Sequence, residues 1–313
     1  MKNHQHSDHL QHEHDHDHHR DHHHHHDIAM DGPPTRAFQL SILINLLFVF
    51  IEIYYGYFSN SLSLMADAGH NLGDVFALVL SWLGYRLSRS QPSSRFSFGL
   101  KKFSILAALI NALVLVLGSF WILKEAYERF YSTQPQDGPV MMAVALVGIV
   151  INFGSALLFR QSQQSDLNMK SAYLHLMGDA LVSLGVVIAG FFIFWKNWSW
   201  VDPVLSAVIV FIILYGTWDL LKESVVLVLG GVPVSIDLQK VETFLKNLAG
   251  VLEVRDLKVW ALSTSEYALA VKLVIEKTDA EFDFDDIQKQ IQEKFKINFV
   301  TIQTMKTNNT LKV

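Results

Sequence analysis

Six stretches of this chain are apolar for long enough to cross a lipid bilayer, and no other feature restricts its fold as strongly. A spanning helix needs roughly 20 residues, and inside hydrocarbon only helices and closed barrels satisfy their own backbone groups. The stretches lie near 38–58, 62–87, 103–127, 139–160, 172–195 and 200–221. The first two are separated by little more than Asn60 and Ser61, which predicts a tight helical hairpin. Trp198 and Trp200 stand at the fifth connection, where interfacial aromatics belong. One set of flanks carries Arg36, Arg86, Arg89, Arg95, Lys101, Lys102, Arg160, Lys170 and Lys222, and the other only Lys124, Arg129 and Lys196. The positive-inside rule then puts both termini in the cytoplasm.

The polar residues gather outside those stretches. Residues 1–27 hold thirteen of the fifteen histidines, six acids and two bases. This tail has almost no apolar residue, so it is expected to be disordered and to bind Zn²⁺, Ni²⁺, Co²⁺ or Cu²⁺ weakly through imidazole. After Gly230-Gly231-Val232-Pro233 the composition becomes that of a soluble domain. Helical spacing over 235–249 and 284–295, with strand patterns over 253–262, 267–275 and 297–304, predicts the order α-β-β-α-β. The expected organisation is a His-rich cytoplasmic tail (1–35), a six-helix transmembrane domain (36–224) and a cytoplasmic α+β, ferredoxin-like domain (225–313). The acidic run Asp279, Glu281, Asp283, Asp285, Asp286 lacks EF-hand spacing and reads as a solvated helix start.

The absence of cysteine excludes disulfides, thiolate nucleophiles and Cys-ligated metal sites, and a net charge of −5 argues against a nucleic-acid partner. There is no P-loop motif for ATP and no His-Glu-x-x-His protease motif.

Against this background the two histidines outside the tail stand out. His70-Asn71-Leu72-Gly73-Asp74 lies in the second stretch and His175-Leu176-Met177-Gly178-Asp179 in the fifth. Each His and Asp are four residues apart, on one face of a helix. An Asp near mid-membrane costs roughly 2.5–3.5 kcal/mol on insertion scales, so such groups need a partner or a task. Two facing His–Asp pairs supply two imidazole nitrogens and two carboxylates, a set suited to tetrahedral Zn²⁺. Gly73 and Gly178 are expected to let helices approach closely. Asp67, one turn before His70, reads either as lining the ion path or supporting a ligand, or as an interfacial helix-start residue. Glu52, Asn45, Asn111 and Asn152 also fall within spans. Such residues usually join helices by hydrogen bonds, and Glu52 is the best placed of them to handle protons or ions. An enzyme would need an open coordination position, which four protein ligands do not leave. The alternative function is a membrane zinc sensor or store, which the His-rich tail would suit.

These segments resemble a known family. Ser61 to Asp74 and Leu167 to Asp179 are similar to helices 2 and 5 of the cation diffusion facilitators. Trp200-Val201-Asp202-Pro203, Asp256-Leu257-Lys258-Val259-Trp260 and Ser263-Thr264 fit as well, and the resemblance covers roughly 36–305. It implies a homodimer of six-helix protomers, embedded in a bilayer, that exports divalent metal from the cytoplasm in exchange for protons. His70, Asp74, His175 and Asp179 take the positions of the transport site, in the form found in zinc-preferring members. A bacterial cytoplasmic membrane is the expected location. The soluble domain departs from the pattern: Lys258 and Lys272 stand where relatives often carry His, Phe299 precedes Thr301-Ile302-Gln303, and Met305 takes a Glu position. That domain is therefore expected to dimerise without metal.

Overall fold

The computed structural model describes residues 36–88, 92–132, 134–159, 167–275 and 283–306. The tail (1–35), the flanking Arg89 and Arg160, and Asp279 and Glu281 lie outside the described residues. Six long helices come first: α1 (Arg36–Phe58), α2 (Leu62–Ser88), α3 (Phe103–Tyr131), α4 (Gly138–Phe159), α5 (Leu167–Lys196) and α6 (Val201–Val228). Over the described residues, α3, α4, α5 and α6 are each long and apolar enough to cross a membrane. The described apolar part of α1, Leu43–Phe58, is shorter. Of the six, α2 is the most polar, because it carries Asp67, His70 and Asp74.

The exposed surface of these helices is apolar and their interior is partly polar, the reverse of a water-soluble bundle. Val114, Leu117, Phe120 and Trp121 on α3 and Phe211, Ile212 and Tyr215 on α6 point outwards. Glu52, Asp67, Asn71, Asn111, Asn152, Asp179, Ser183 and Asp202 are buried. A second interior layer is apolar and close-packed: Phe48, Leu64, Met141, Val144, Val186, Ile209, Val210 and Ile213. The most extensive helix contacts pair α4 with α5 and α3 with α6, whereas α2 and α5 touch only slightly. Small residues make the first pairing close. A Cβ on Gly138 would lie 2.5 Å from the Gly190 carbonyl oxygen, and one on Gly190 2.9 Å from that of Gly138.

The α1–α2 hairpin turns on Asn60, whose φ of 57° is left-handed. Ser59 N–H donates to the Tyr55 carbonyl (2.8 Å) and Ser61 N–H to that of Gly56 (2.9 Å), which closes the end of α1. Beyond the turn, Gly56 lets α1 lie close on α2: its Cβ would meet the Met65 side chain at 3.2 Å. The sixth helix runs further than its apolar stretch predicts. It continues through Ser224 to Val228, where Leu227 packs against Ile105 and Ala261, although β-branched valines form helix poorly.

Gly230, with φ 77°, ends the rod, and Gly231 approaches it so closely that a Cβ would meet Val226 Cγ1 at 2.5 Å. The soluble domain then follows the predicted order: α7 (Leu238–Lys246), β1 (Val251–Ala261), β2 (Tyr267–Ile275), α8 (Phe284–Phe295) and β3 (Phe299–Lys306). The sheet runs β1-β2-β3, antiparallel then parallel. Ile236, Val241, Leu245, Leu269, Val271, Leu273, Ile287, Ile291 and Ile297 form its core between helices and sheet. Polar contacts also join this domain to the start of α3. Lys101 is paired with Glu266, and the Thr264 N–H donates to Ser104 Oγ at 3.2 Å.

Candidate metal centre

The helical repeat does what the spacing predicts, and α2 and α5 bring their His–Asp faces together. His70 Nε2 lies 3.6 Å from Asp74 Oδ2 and 3.4 Å from Asp179 Oδ1. His175 Nε2 lies 3.1 Å from Asp74 Oδ2 and 3.6 Å from Asp179 Oδ2. The imidazole rings stand edge to face, with centroids 5.6 Å apart. Each imidazole thus faces both carboxylates, one from its own helix and one from the other.

These distances test the site's fit for zinc. A tetrahedral ion with bonds of about 2.0–2.1 Å sets neighbouring ligand atoms about 3.3 Å apart. The four nitrogen–oxygen pairs, at 3.1–3.6 Å, lie near that edge, with Asp74 meeting both imidazoles through one oxygen and Asp179 through a different oxygen for each. His70, Asp74 and His175 form the tightest group, with one ligand atom from each all within 4.8 Å of one another. Asp179 is not part of that triplet, although it touches both imidazoles. Access is graded across the site: the side chains of His175 and Asp74 are 41% and 33% exposed and Asp179 only 7%. The site is open on the His175–Asp74 side and closed on the Asp179 side.

Behind these four side chains lies a second buried layer. Asp67 is fully buried, and Ser183, one turn beyond Asp179 on α5, donates to its Oδ2 at 3.2 Å. Glu52 on α1 is fully buried too, and Asn71 Nδ2 donates to its Oε2 at 3.1 Å. Asp67 therefore sits in the interior rather than at an interface. Asn45 is half-buried on α1, two turns from Glu52. Asn111 and Asn152 are buried on α3 and α4.

The two motif glycines behave differently. Gly73 is buried, and a Cβ there would meet Leu115 of α3 at 2.5 Å, so this glycine does permit a close approach. Gly178 is exposed with nothing within 4 Å of its Cβ position, so the expected packing role does not hold there.

Three supporting residues were not singled out for these roles by the sequence. Asn71 adjoins His70, and Ser183 continues the His175–Asp179 stripe by one more turn, so four-residue spacing could have found it. The third is Asp202 on α6. Its buried carboxylate accepts from Leu62 N (2.7 Å), Ser63 N (3.1 Å) and Ser61 Oγ (2.8 Å), and so caps α2 from another helix.

Two comparisons with known proteins bear on this arrangement. The family model described as the cation efflux transmembrane domain matches residues 38–229, and that of the cation efflux protein cytoplasmic domain matches 233–305. The chain is 36% identical over 258 residues to the zinc transporter ZitB of Escherichia coli K12, covering 82% of each protein. It is 34% identical over 274 residues to the metal cation efflux system protein CzcD of Cupriavidus metallidurans, covering 87% of each. A Bacillus subtilis relative named a cadmium, cobalt and zinc/H(+)-K(+) antiporter is 28% identical over 278 residues, covering 87% of this chain and 89% of its own. These relatives are transporters, not enzymes. Both matched domains follow one another in a single chain whose interior carries paired His–Asp helices, and the chain belongs to the cation efflux, or cation diffusion facilitator, family.

Proposed function

We propose that this protein exports Zn²⁺ from the cytoplasm in exchange for protons, with His70, Asp74, His175 and Asp179 holding the ion in transit. The observation that carries the reading is the set of four nitrogen–oxygen pairs at 3.1–3.6 Å, drawn from two helices. Two carboxylates neutralise a dication, which offsets the cost of holding it inside the membrane. Two imidazoles favour zinc over the harder, oxygen-preferring cations.

The ligand set also supplies the exchange. Metal binds to neutral imidazole and ionised carboxylate, so protons compete with it for the same atoms. The packing supports movement across the site. Asp202 ties α2 to α6, the main partner of α3, while α5 lies mostly on α4. The ligands straddle a seam of sparse contact, so a rocking of α4–α5 against the remaining helices would re-expose the site without breaking a large interface.

Both termini are assigned to the cytoplasm, in a bacterial cytoplasmic membrane, with residues 225–313 as the dimerisation domain of a homodimer. In that domain Lys272, at a position where relatives often carry His, donates to Asp256 Oδ2 at 2.6 Å. Lysine is a poor zinc ligand and here is held by a carboxylate of its own protomer, so metal is not assigned a part in dimerisation. Full-length protein in detergent with a chelator should remain dimeric; a monomer that dimerises only on zinc addition contradicts that part.

The transport reading is tested by Asp179→Ala and His70→Asp in zinc-loaded vesicle assays. Asp179→Ala should fold and lose transport. His70→Asp should keep metal transport with a weaker preference for zinc over harder cations. Normal zinc transport by Asp179→Ala overturns the site.

A further inference from the structure

Glu52 and Asp67 are two carboxyl groups buried side by side. Both residues are 0% exposed, and Asn71, which bonds Glu52 across the α1–α2 contact, lies one turn from Asp67 on the same face of α2. Each carboxyl has one oxygen satisfied, Glu52 by Asn71 and Asp67 by Ser183. Each also keeps a fully buried oxygen without a donor, Glu52 Oε1 and Asp67 Oδ1. Buried polar atoms in folded proteins are nearly always paired, and two adjacent carboxylates cannot both hold their charge at low cost. A single proton, bonded to one carboxyl and donated to the other, removes the repulsion and pairs a buried oxygen.

We propose that Glu52 and Asp67 form a proton-holding pair, distinct from the zinc ligands, whose occupancy is coupled to zinc at the adjacent site. Its place along the helices fits this task. Asp67 lies one turn from His70 towards the α1–α2 turn, at the end of the bundle away from the soluble domain. The titratable groups that face the pair are Asp179 on α5 and His70 on α2, with Asp74 and His175 beyond them. A dication among those groups is the largest local charge, and it favours the ionised form of every nearby carboxyl. Zinc arrival therefore expels the proton: the O–H bond of the pair breaks and the proton leaves as hydronium, while the pair becomes a dianion beside the ion. Linkage makes the effect reciprocal, so reprotonation of the pair weakens zinc binding by the same factor.

This inference rests on the proposed proton-coupled zinc transport, and the test separates the two. Full-length protein is reconstituted as wild type, Glu52→Gln, Asp67→Asn and Glu52→Asp. Two fluxes are compared: zinc uptake driven by an imposed pH gradient, and exchange of isotopic zinc at equal zinc and equal pH on both sides. Glu52→Gln and Asp67→Asn should keep exchange within about twofold and lose gradient-driven uptake by roughly tenfold or more, the scale of a typical coupling. Glu52→Asp, which keeps a carboxyl, should restore uptake. The infrared spectrum should show a carboxylic-acid C=O band that zinc abolishes in wild type and that is absent from Glu52→Gln. If wild type shows no gradient-driven uptake, the transport reading itself fails. If wild type shows it and Glu52→Gln matches it, only the pair proposal fails. Loss of exchange together with uptake in all three variants also overturns it, by making the pair part of the zinc site or of the fold.

Discussion

Replacing Asp202 with alanine should damage the protein more than any exposed charge change, although the residue lies away from the proposed zinc site. Its carboxylate accepts the first backbone N–H groups of α2, from Leu62 at 2.7 Å and Ser63 at 3.1 Å, in a setting where Leu62, Ser63 and Asp202 are at most 2% exposed. Water cannot replace the lost acceptor there. Each orphaned buried donor costs about 1–3 kcal/mol, so the two backbone groups together cost about 2–6 kcal/mol. The Ser61 and Ser63 hydroxyls lie 3.1 Å apart and can turn to each other, so they add little. Loss of negative charge at the helix N-terminus adds about 0.3–1 kcal/mol, while release of a buried charge offsets part of the sum. The net expectation is a loss of about 2–5 kcal/mol, with Asp202→Asn near half of that because its amide oxygen still accepts. Ser63→Ala leaves both backbone bonds in place and should cost under about 1 kcal/mol. Detergent-solubilised variants are unfolded by heat and by added SDS, with helix content as the readout. An Asp202→Ala protein that unfolds with wild type, or a Ser63→Ala protein that is the weaker of the two, refutes the capping argument. Because His70 lies eight positions along α2, about 12 Å from the cap at 1.5 Å per residue, zinc affinity should fall with stability rather than independently of it.

Other substitutions probe packing and charge. Gly190→Ala places a Cβ 2.8 Å from Met142 Cγ and 2.9 Å from a backbone carbonyl, and should cost about 1–3 kcal/mol in the same unfolding assays. Gly178→Ala meets nothing within 4 Å and should leave stability unchanged or slightly raised, even though it sits inside the motif. In the soluble domain the Lys240 backbone N–H, and then that of Gln239, hold the Asp237 carboxyl below the usual carboxylate range. Its capping contribution is therefore present above that range and lost as pH falls through the lowered value. Amide exchange at the start of α7 should accelerate on such acidification in wild type and be pH-insensitive in Asp237→Ala after correction for intrinsic rates.

The readable parts of this protein were those whose physics is local or whose cost is high. Helices α3 to α6 follow from apolar length, and the meeting of His70, Asp74, His175 and Asp179 follows from four-residue spacing combined with the expense of charge in hydrocarbon. The α-β-β-α-β order followed from periodicity, with ends displaced by a few residues; β3 spans Phe299–Lys306 where the pattern predicts 297–304. Long-range partnerships were not readable. Asp202 caps a helix whose first turn lies 140 residues earlier, at Leu62, and half its partners are backbone groups with no sequence signature. The pairing of Glu52 with Asp67 depends on the depth at which α1 and α2 cross, which hydropathy does not fix. Glycine was ambiguous for a related reason: Gly73 and Gly178 share a motif position, but only one of them faces a neighbouring helix. The irregular register between Arg255 and Lys258 in β1, where Asp256 adopts φ 50°, interrupts an alternation that the sequence shows only partly.

Zinc uptake by proteoliposomes, with and without an imposed pH gradient and beside the Asp74→Ala/Asp179→Ala double variant, tests the central claim most directly. The account predicts uptake that the gradient drives in wild type and that the double variant lacks. Zinc binding without flux in either condition, with a control transporter active in the same vesicles, contradicts it and leaves a membrane zinc sensor or store.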